Sequence, residues 1–207
     1  MSSVLPCPDC GLFHQCLCGD VPLLNSNLHI SLLTHQKEFD RPTNTGRFIA
    51  QSMKNAHRHQ WQRTEATPPL REVLNHSDYS PFLLYPATHS LSVSEVITEA
   101  EQQSKTPYFI VLDGTWQEAR KMERKSAWLA SVPRVALTPC HPSEFHLRKN
   151  QKAGSLCTLE VIAELLDELC WQKEAEQLRA FLNHFMAIFH ADKSGHKLKK
   201  NKSKNRF

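Results

Sequence analysis

The chain has 207 residues, 40% apolar and 22% charged, with a formal net charge of +4. That is enough apolar material for one domain's core and excludes a wholly disordered chain. No run approaches the roughly 20 apolar residues of a membrane-crossing helix, no basic-then-apolar leader is visible, and a soluble, cytoplasmic protein is expected.

Four of the seven cysteines crowd into the first eighteen residues as Cys7-x2-Cys10-x5-Cys16-x-Cys18, between Pro6, Pro8, Gly11 and Gly19. An odd total so distributed is not a secreted disulfide framework. Paired thiols on tight turns suit a closed tetrahedral zinc site that holds structure and leaves no position for water. His14 is an alternative fourth ligand. Residues 1–25 are read as this zinc-binding head, 26–191 as an α/β body and 192–207 as a basic tail.

In the body, strands are predicted at 28–33, 82–85, 108–112 and 134–137. Helices are predicted at 45–56, 93–103, 115–129, 158–169 and 173–190. Strands alternating with helices imply a mostly parallel sheet with helices on both faces. The six glycines never fall into a dinucleotide fingerprint or a Walker loop, which argues against a Rossmann-type or P-loop site.

Charge is unevenly spread. The last fifteen residues hold six lysines, one arginine and no acid, which leaves 18 basic against 21 acidic residues, −3, over residues 1–192. Such a tail suits a polyanion partner or simply a solvated terminus. Within the body, 41–63 has five basic residues and no acid, whereas 160–176 has six acids and one lysine.

Three segments carry chemistry. Asp113-Gly114-Thr115-Trp116 follows the clearest strand, at the edge where open α/β sheets bind ligands. Thr115 and Glu118 form a capping box, so Asp113 is not needed as the cap and its carboxylate is expected at the cleft. Trp116 suits the core or the face of a base. The turn Arg41-Pro42-Thr43-Asn44-Thr45-Gly46-Arg47 pairs a helix start with two arginines, an anion-binding arrangement. Leu147-Arg148-Lys149 precedes a polar loop that runs into another helix start at Leu156-Cys157-Thr158. Arg120, Lys121, Arg124 and Lys125 stack like charges on one helix face, which an anion would relieve.

Together these segments resemble the DTW-domain family, and within it most of all the bacterial tRNA-uridine aminocarboxypropyltransferases. The resemblance implies a SPOUT-like α/β fold with a C-terminal trefoil knot. It further implies transfer of the 3-amino-3-carboxypropyl group of S-adenosylmethionine to N3 of a variable-loop uridine in tRNA, releasing methylthioadenosine. On that basis Asp113 is expected as the base, with Trp116 beside it raising its pKa. Tyr85, Pro86, Ala87, Leu112, Gly114, Thr115, Leu137, Thr138, Leu156, Cys157 and Thr158 are expected around S-adenosylmethionine, with Arg47 on its carboxylate. Arg41, Arg120, Lys121, Arg124, Lys125, Arg148 and Lys149 are expected on tRNA phosphates. The rival readings are a SPOUT-type RNA methyltransferase and a non-catalytic zinc-containing RNA-binding protein. No segment points to a membrane or to an obligate protein partner.

Overall fold

The computed structural model describes residues 5–148 and 155–198. Lys149 and most of the basic tail lie outside the described residues. Five strands, β1 (His29–Thr34), β2 (Ala56–Gln60), β3 (Tyr79–Leu84), β4 (Thr106–Asp113) and β5 (Arg134–Val135), form one all-parallel sheet in the order β2-β1-β4-β3-β5. The helices are α1 (Gln36–Phe39), α2 (Gly46–Ser52), α3 (Pro68–Asn75), α4 (Val93–Gln102), α5 (Trp116–Lys125), α6 (Thr158–Glu168) and α7 (Gln172–Lys193).

Alternation along β4 divides the core. Phe109 and Val111 point to one face with Ile30, Leu32 and Phe82, where α2, α4, α6 and α7 cover them. Ile110 and Leu112 point to the other with Leu33 and Leu83, beneath α3 and α5. Both faces are dry, which is why the central strands read as unbroken apolar runs. Cys10, Leu12 and Leu17 belong to the first of these cores, so the cysteine head is packed onto the body. Asp192 on α7 fastens it further by accepting from the N–H groups of Phe13, at 2.9 Å, and His14, at 2.6 Å.

Several elements differ from the sequence expectation. The helix expected over 45–56 stops at Ser52, because the chain turns and starts β2 at Ala56. β2 was invisible as a strand: His57, Arg58, His59 and Gln60 are polar, and the strand sits at the sheet edge with only β1 beside it. α3 opens on two prolines, which suit the first helical turn but read as a loop. The helix expected to reach 129 ends at Lys125 and yields to a single 3-10 turn at Ala127–Leu129. β5 is two residues long, not four.

The turn between α6 and α7 rests on Cys170 in the left-handed region, at φ +62°. There the Trp171 N–H reaches back to the Leu166 carbonyl at 2.8 Å and closes the helix end. A side chain at this angle costs about 1 kcal/mol that glycine avoids. Cys170→Gly is therefore expected to raise stability by up to about 1 kcal/mol in urea titration, whereas Cys170→Ala, which keeps the penalty, should bring no gain.

Candidate active site

The carboxyl ends of β3, β4 and β5 converge with the start of α6 around a cavity of about 260 Å³. Leu84, Tyr85 and Pro86 follow β3; Leu112, Gly114 and Trp116 come from the β4–α5 turn; Leu137 and Pro139 follow β5; Leu156, Thr158 and Val161 open α6. The lining is almost wholly apolar, and the lining residues that carry a polar side-chain group are Tyr85, Trp116 and Thr158. Trp116 is 45% exposed at the mouth. Such a space suits a flat, weakly polar group, with backbone from three strand-end loops available to its edges.

Glutamates hold one wall in place. Glu160, Glu164 and Glu168 recur every fourth residue along α6 and accept from the loop that follows β5. Glu168 takes the Thr138 N–H at 2.6 Å, Glu164 the Cys140 N–H at 2.8 Å, and Glu160 the N–H groups of Glu144 at 2.8 Å and Phe145 at 3.1 Å. Burial opposes the Glu164 charge, but the Cys140 N–H, Arg179 and His141 overrule it and hold its pKa below the usual carboxylate range.

Behind the cavity lies a polar cluster as dry as the core. The structure corrects the expectation for Asp113: its carboxylate is turned inward, 1% exposed, and does not line the cavity. It accepts from Thr34 Oγ1 at 3.0 Å, from Asn44 Nδ2 at 3.0 Å to each oxygen, and from Thr158 Oγ1 at 2.7 Å. Arg58 Nη2 stands 3.9 Å away. Burial pushes the Asp113 pKa up, against the hydrogen bonds from Thr158 and Asn44. The register explains the first donor, since Thr34 ends β1 directly beside Asp113 at the end of β4. The capping box does form at Thr115 and Glu118. It frees Asp113 from the helix, and the interior takes the carboxylate up.

Asn44 links this carboxylate to a second one. Its amide also donates to Glu38 Oε2 at 2.9 Å, and Glu38 is fully buried. Arg41 bonds Glu38 and forks onto Glu118 at 2.6 and 2.8 Å, while Arg148 reaches Glu38 at 2.7 Å. Burial works against the Glu118 charge, but Arg41 and the Thr115 N–H hold its pKa down at about 2. Arg41 and Arg148, expected on phosphates, are thus paired with acids.

Arg47, expected on a cofactor carboxylate, is buried away from the cavity. It donates to the carbonyl oxygens of Arg41 at 2.6 Å and Asp9 at 3.2 Å, pinning the head to the turn before α2. Of the other residues expected around a cofactor, Tyr85, Pro86, Leu112, Gly114, Leu137, Leu156 and Thr158 line the cavity. Ala87, Thr115, Thr138 and Cys157 are their chain neighbours and do not. Arg120, Lys121, Arg124 and Lys125 are exposed along α5, the helix that begins at Trp116. Sequence reasoning missed Thr34, Glu38 and Arg58. The one signal for Arg58 is that the stretch 41–63 holds no acid to pair with it.

In the head, the sulfurs of Cys7, Cys10, Cys16 and Cys18 all lie within 4.8 Å of one another, with Cys7 at 3.7 Å from both Cys16 and Cys18. Tetrahedral zinc with bonds of about 2.3 Å sets sulfurs about 3.8 Å apart, so the spacing is that of a metal site and not of a disulfide. The N–H groups of Cys10 and Asp9 turn toward the Cys7 sulfur and lower its pKa to about 7, whereas burial pushes the Cys10 and Cys18 thiols up. A second cluster, His141, Glu164 and Asp167, is occupied by the Arg179 guanidinium and is an ion-pair network.

Comparison with known proteins places this arrangement. The model of the DTW domain matches residues 5–190, head included, and the chain belongs to that family. A curated relative, tRNA-uridine aminocarboxypropyltransferase 2 of Drosophila melanogaster, is 32% identical over 126 residues, covering 57% of this chain and 48% of the relative. The chain thus spans about half the length of the curated relative it matches. No solved structure matches.

Gly46, the first residue of α2, lies against the Asp113 carboxylate, and a Cβ there would meet its atoms at 2.6 Å. Gly46→Ala is expected to cost about 1–3 kcal/mol in urea unfolding, because the carboxylate cannot retreat without losing its donors. Gly19→Ala, where a Cβ meets nothing within 4 Å, should leave stability unchanged.

Proposed function

We propose that this DTW-domain protein is a tRNA-modifying transferase that moves the 3-amino-3-carboxypropyl group of S-adenosylmethionine to N3 of a variable-loop uridine and releases methylthioadenosine. One observation carries the reading: the turn Asp113-Gly114-Thr115-Trp116, one of the segments that carry the family resemblance, places Gly114 and Trp116 on the wall of the apolar cavity at the sheet's carboxyl edge. The named activity of the fly relative points the same way.

In this reading the cavity takes the adenosine and thioether part of the donor between Leu84, Leu112, Leu137 and Leu156, with the backbone of the three loops meeting its polar edges. A SPOUT-like arrangement with a C-terminal knot belongs to the same proposal. It rests on the family resemblance, together with the all-parallel sheet and the loop after β5 being held to α6. The half-exposed Trp116 offers an aromatic face to the incoming base. Asp113 stands one side chain behind the wall. The exposed Arg120, Lys121, Arg124 and Lys125 of α5 would attract tRNA phosphates, with Lys149 and the tail adding sequence-blind charge. No described helix is long and apolar enough to cross a membrane, and a tRNA modifier of this kind fits a cytoplasmic site of action.

The four cysteines fit zinc by donor type and spacing, and such a closed site would hold the head's turns rather than take part in transfer. Metal analysis of the purified chain should find one zinc per molecule. Cys7→Ser and Cys16→Ser should each lose it and lower thermal stability, while Cys140→Ser should keep it.

Mass spectrometry of nucleosides after incubating the protein with unmodified tRNA and S-adenosylmethionine tests the activity. The expected result is a uridine heavier by the aminocarboxypropyl group, with methylthioadenosine in equal amount. Methylated nucleoside with S-adenosylhomocysteine would instead assign a methyltransferase, and tRNA binding with neither product a binding protein.

A further inference from the structure

We propose that Thr158 is the group that meets the uracil N3–H, and that Asp113 acts on the base only through it. The inference rests on the transferase reading above. Among the described residues Thr158 alone both lines the cavity and hydrogen-bonds the Asp113 carboxylate.

The polarity of this hydroxyl is set from behind. A threonine hydroxyl has a single proton. Asn44 presents its amide N–H to both Asp113 oxygens, and Thr34 divides its one proton between Oδ2 at 3.0 Å and the Leu32 carbonyl at 3.3 Å. Asn44 cannot be turned over, because its amide also serves Glu38 while its own oxygen accepts the Arg47 N–H at 3.0 Å. A carboxylate met by donors on both oxygens is held as an acceptor, so the Thr158 proton points inward to Oδ1. What remains for the cavity is lone pairs.

An acceptor at that place recognises a donor. Uracil carries a proton on N3 where cytosine carries a lone pair, so the same hydroxyl that welcomes one base repels the other. It also opens a route for the proton. As N3 bonds to the γ-carbon of the sulfonium donor, the carbon–sulfur bond breaks and its electron pair stays on sulfur. The N3 proton passes to Thr158 Oγ1 while the hydroxyl's own proton passes to Asp113. The positive charge of the sulfonium and the negative charge of the carboxylate disappear in the same event. A dry site favours that outcome, and burial of Asp113 already prepares it by raising the carboxylate's proton affinity.

Thr158→Val removes the hydroxyl at nearly constant volume, and Thr158→Ser restores it. With the full chain, unmodified tRNA and S-adenosylmethionine, Thr158→Val should bind the donor within about threefold of the parent in equilibrium dialysis but lose about 10²–10⁴-fold in kcat. Thr158→Ser should return to within about tenfold of the parent, and the residual rate of Thr158→Val should climb about tenfold per pH unit, as solvent must now take the proton. If Thr158→Val unfolds, Thr158→Ala and the pH profile of Thr158→Ser carry the same comparison. Full activity without the hydroxyl overturns the proposal, as does a serine variant as inactive as the valine one. A loss of donor binding that matches the loss of rate assigns Thr158 to the donor instead and also overturns it. A parent protein that yields neither modified uridine nor methylthioadenosine overturns the transferase reading itself, and this step with it.

Discussion

A buried carboxylate that must be satisfied organises this molecule. Asp113 draws donors from β1, from the turn before α2 and from the first turn of α6, with Arg58 of β2 at 3.9 Å. An uncompensated charge in such a place would cost several kcal/mol, whereas one with its full set of donors is tolerated and fixes their relative positions. The glycine at 46 is part of the same requirement, since any side chain there would occupy the space of the carboxylate. Asp113 thus reads first as the keystone of the sheet's carboxyl edge.

From this follows the division between an apolar, uncharged cavity and a charged cluster directly behind it. Glu38, Asp113 and Glu118 are threaded among Arg41, Arg58 and Arg148, so that each acid has a cation or an amide beside it. Charges that faced the cavity would bind water and hold it there. Set back by one side chain, they act on the cavity's contents only through the group that bridges the two, and Thr158 is that group.

The sheet was legible because its central strands are dry on both sides and therefore apolar without interruption. The cavity was legible for a related reason: strand ends in a parallel sheet point to one edge, and residues after β3, β4 and β5 could be placed there from their order alone. What could not be read was the pairing of charge. Arg41 meets Glu118 across 77 residues of chain and Arg148 meets Glu38 across 110. At sequence level the same arginines look free for phosphate. Arg47 illustrates the point most sharply, since its partners are backbone carbonyls and no side-chain pattern could announce them. β2 was missed because an edge strand with polar residues has no alternation to show.

The acidic run over 160–176 has a structural purpose in its first half. Glu160, Glu164 and Glu168 turn toward the loop after β5 and accept its backbone N–H groups. That loop contributes Leu137 and Pro139 to the cavity and has no strand to hold it, β5 having ended at Val135. A segment that crosses the mouth of an apolar site would expose unpaired N–H groups to it unless something else claimed them. One face of α6 claims them at four-residue intervals, so the helix that supplies Thr158 to the cavity also braces the wall opposite β4. Thr158 and the brace for one wall of the cavity therefore come from the same helix, and a shift of α6 would disturb both together.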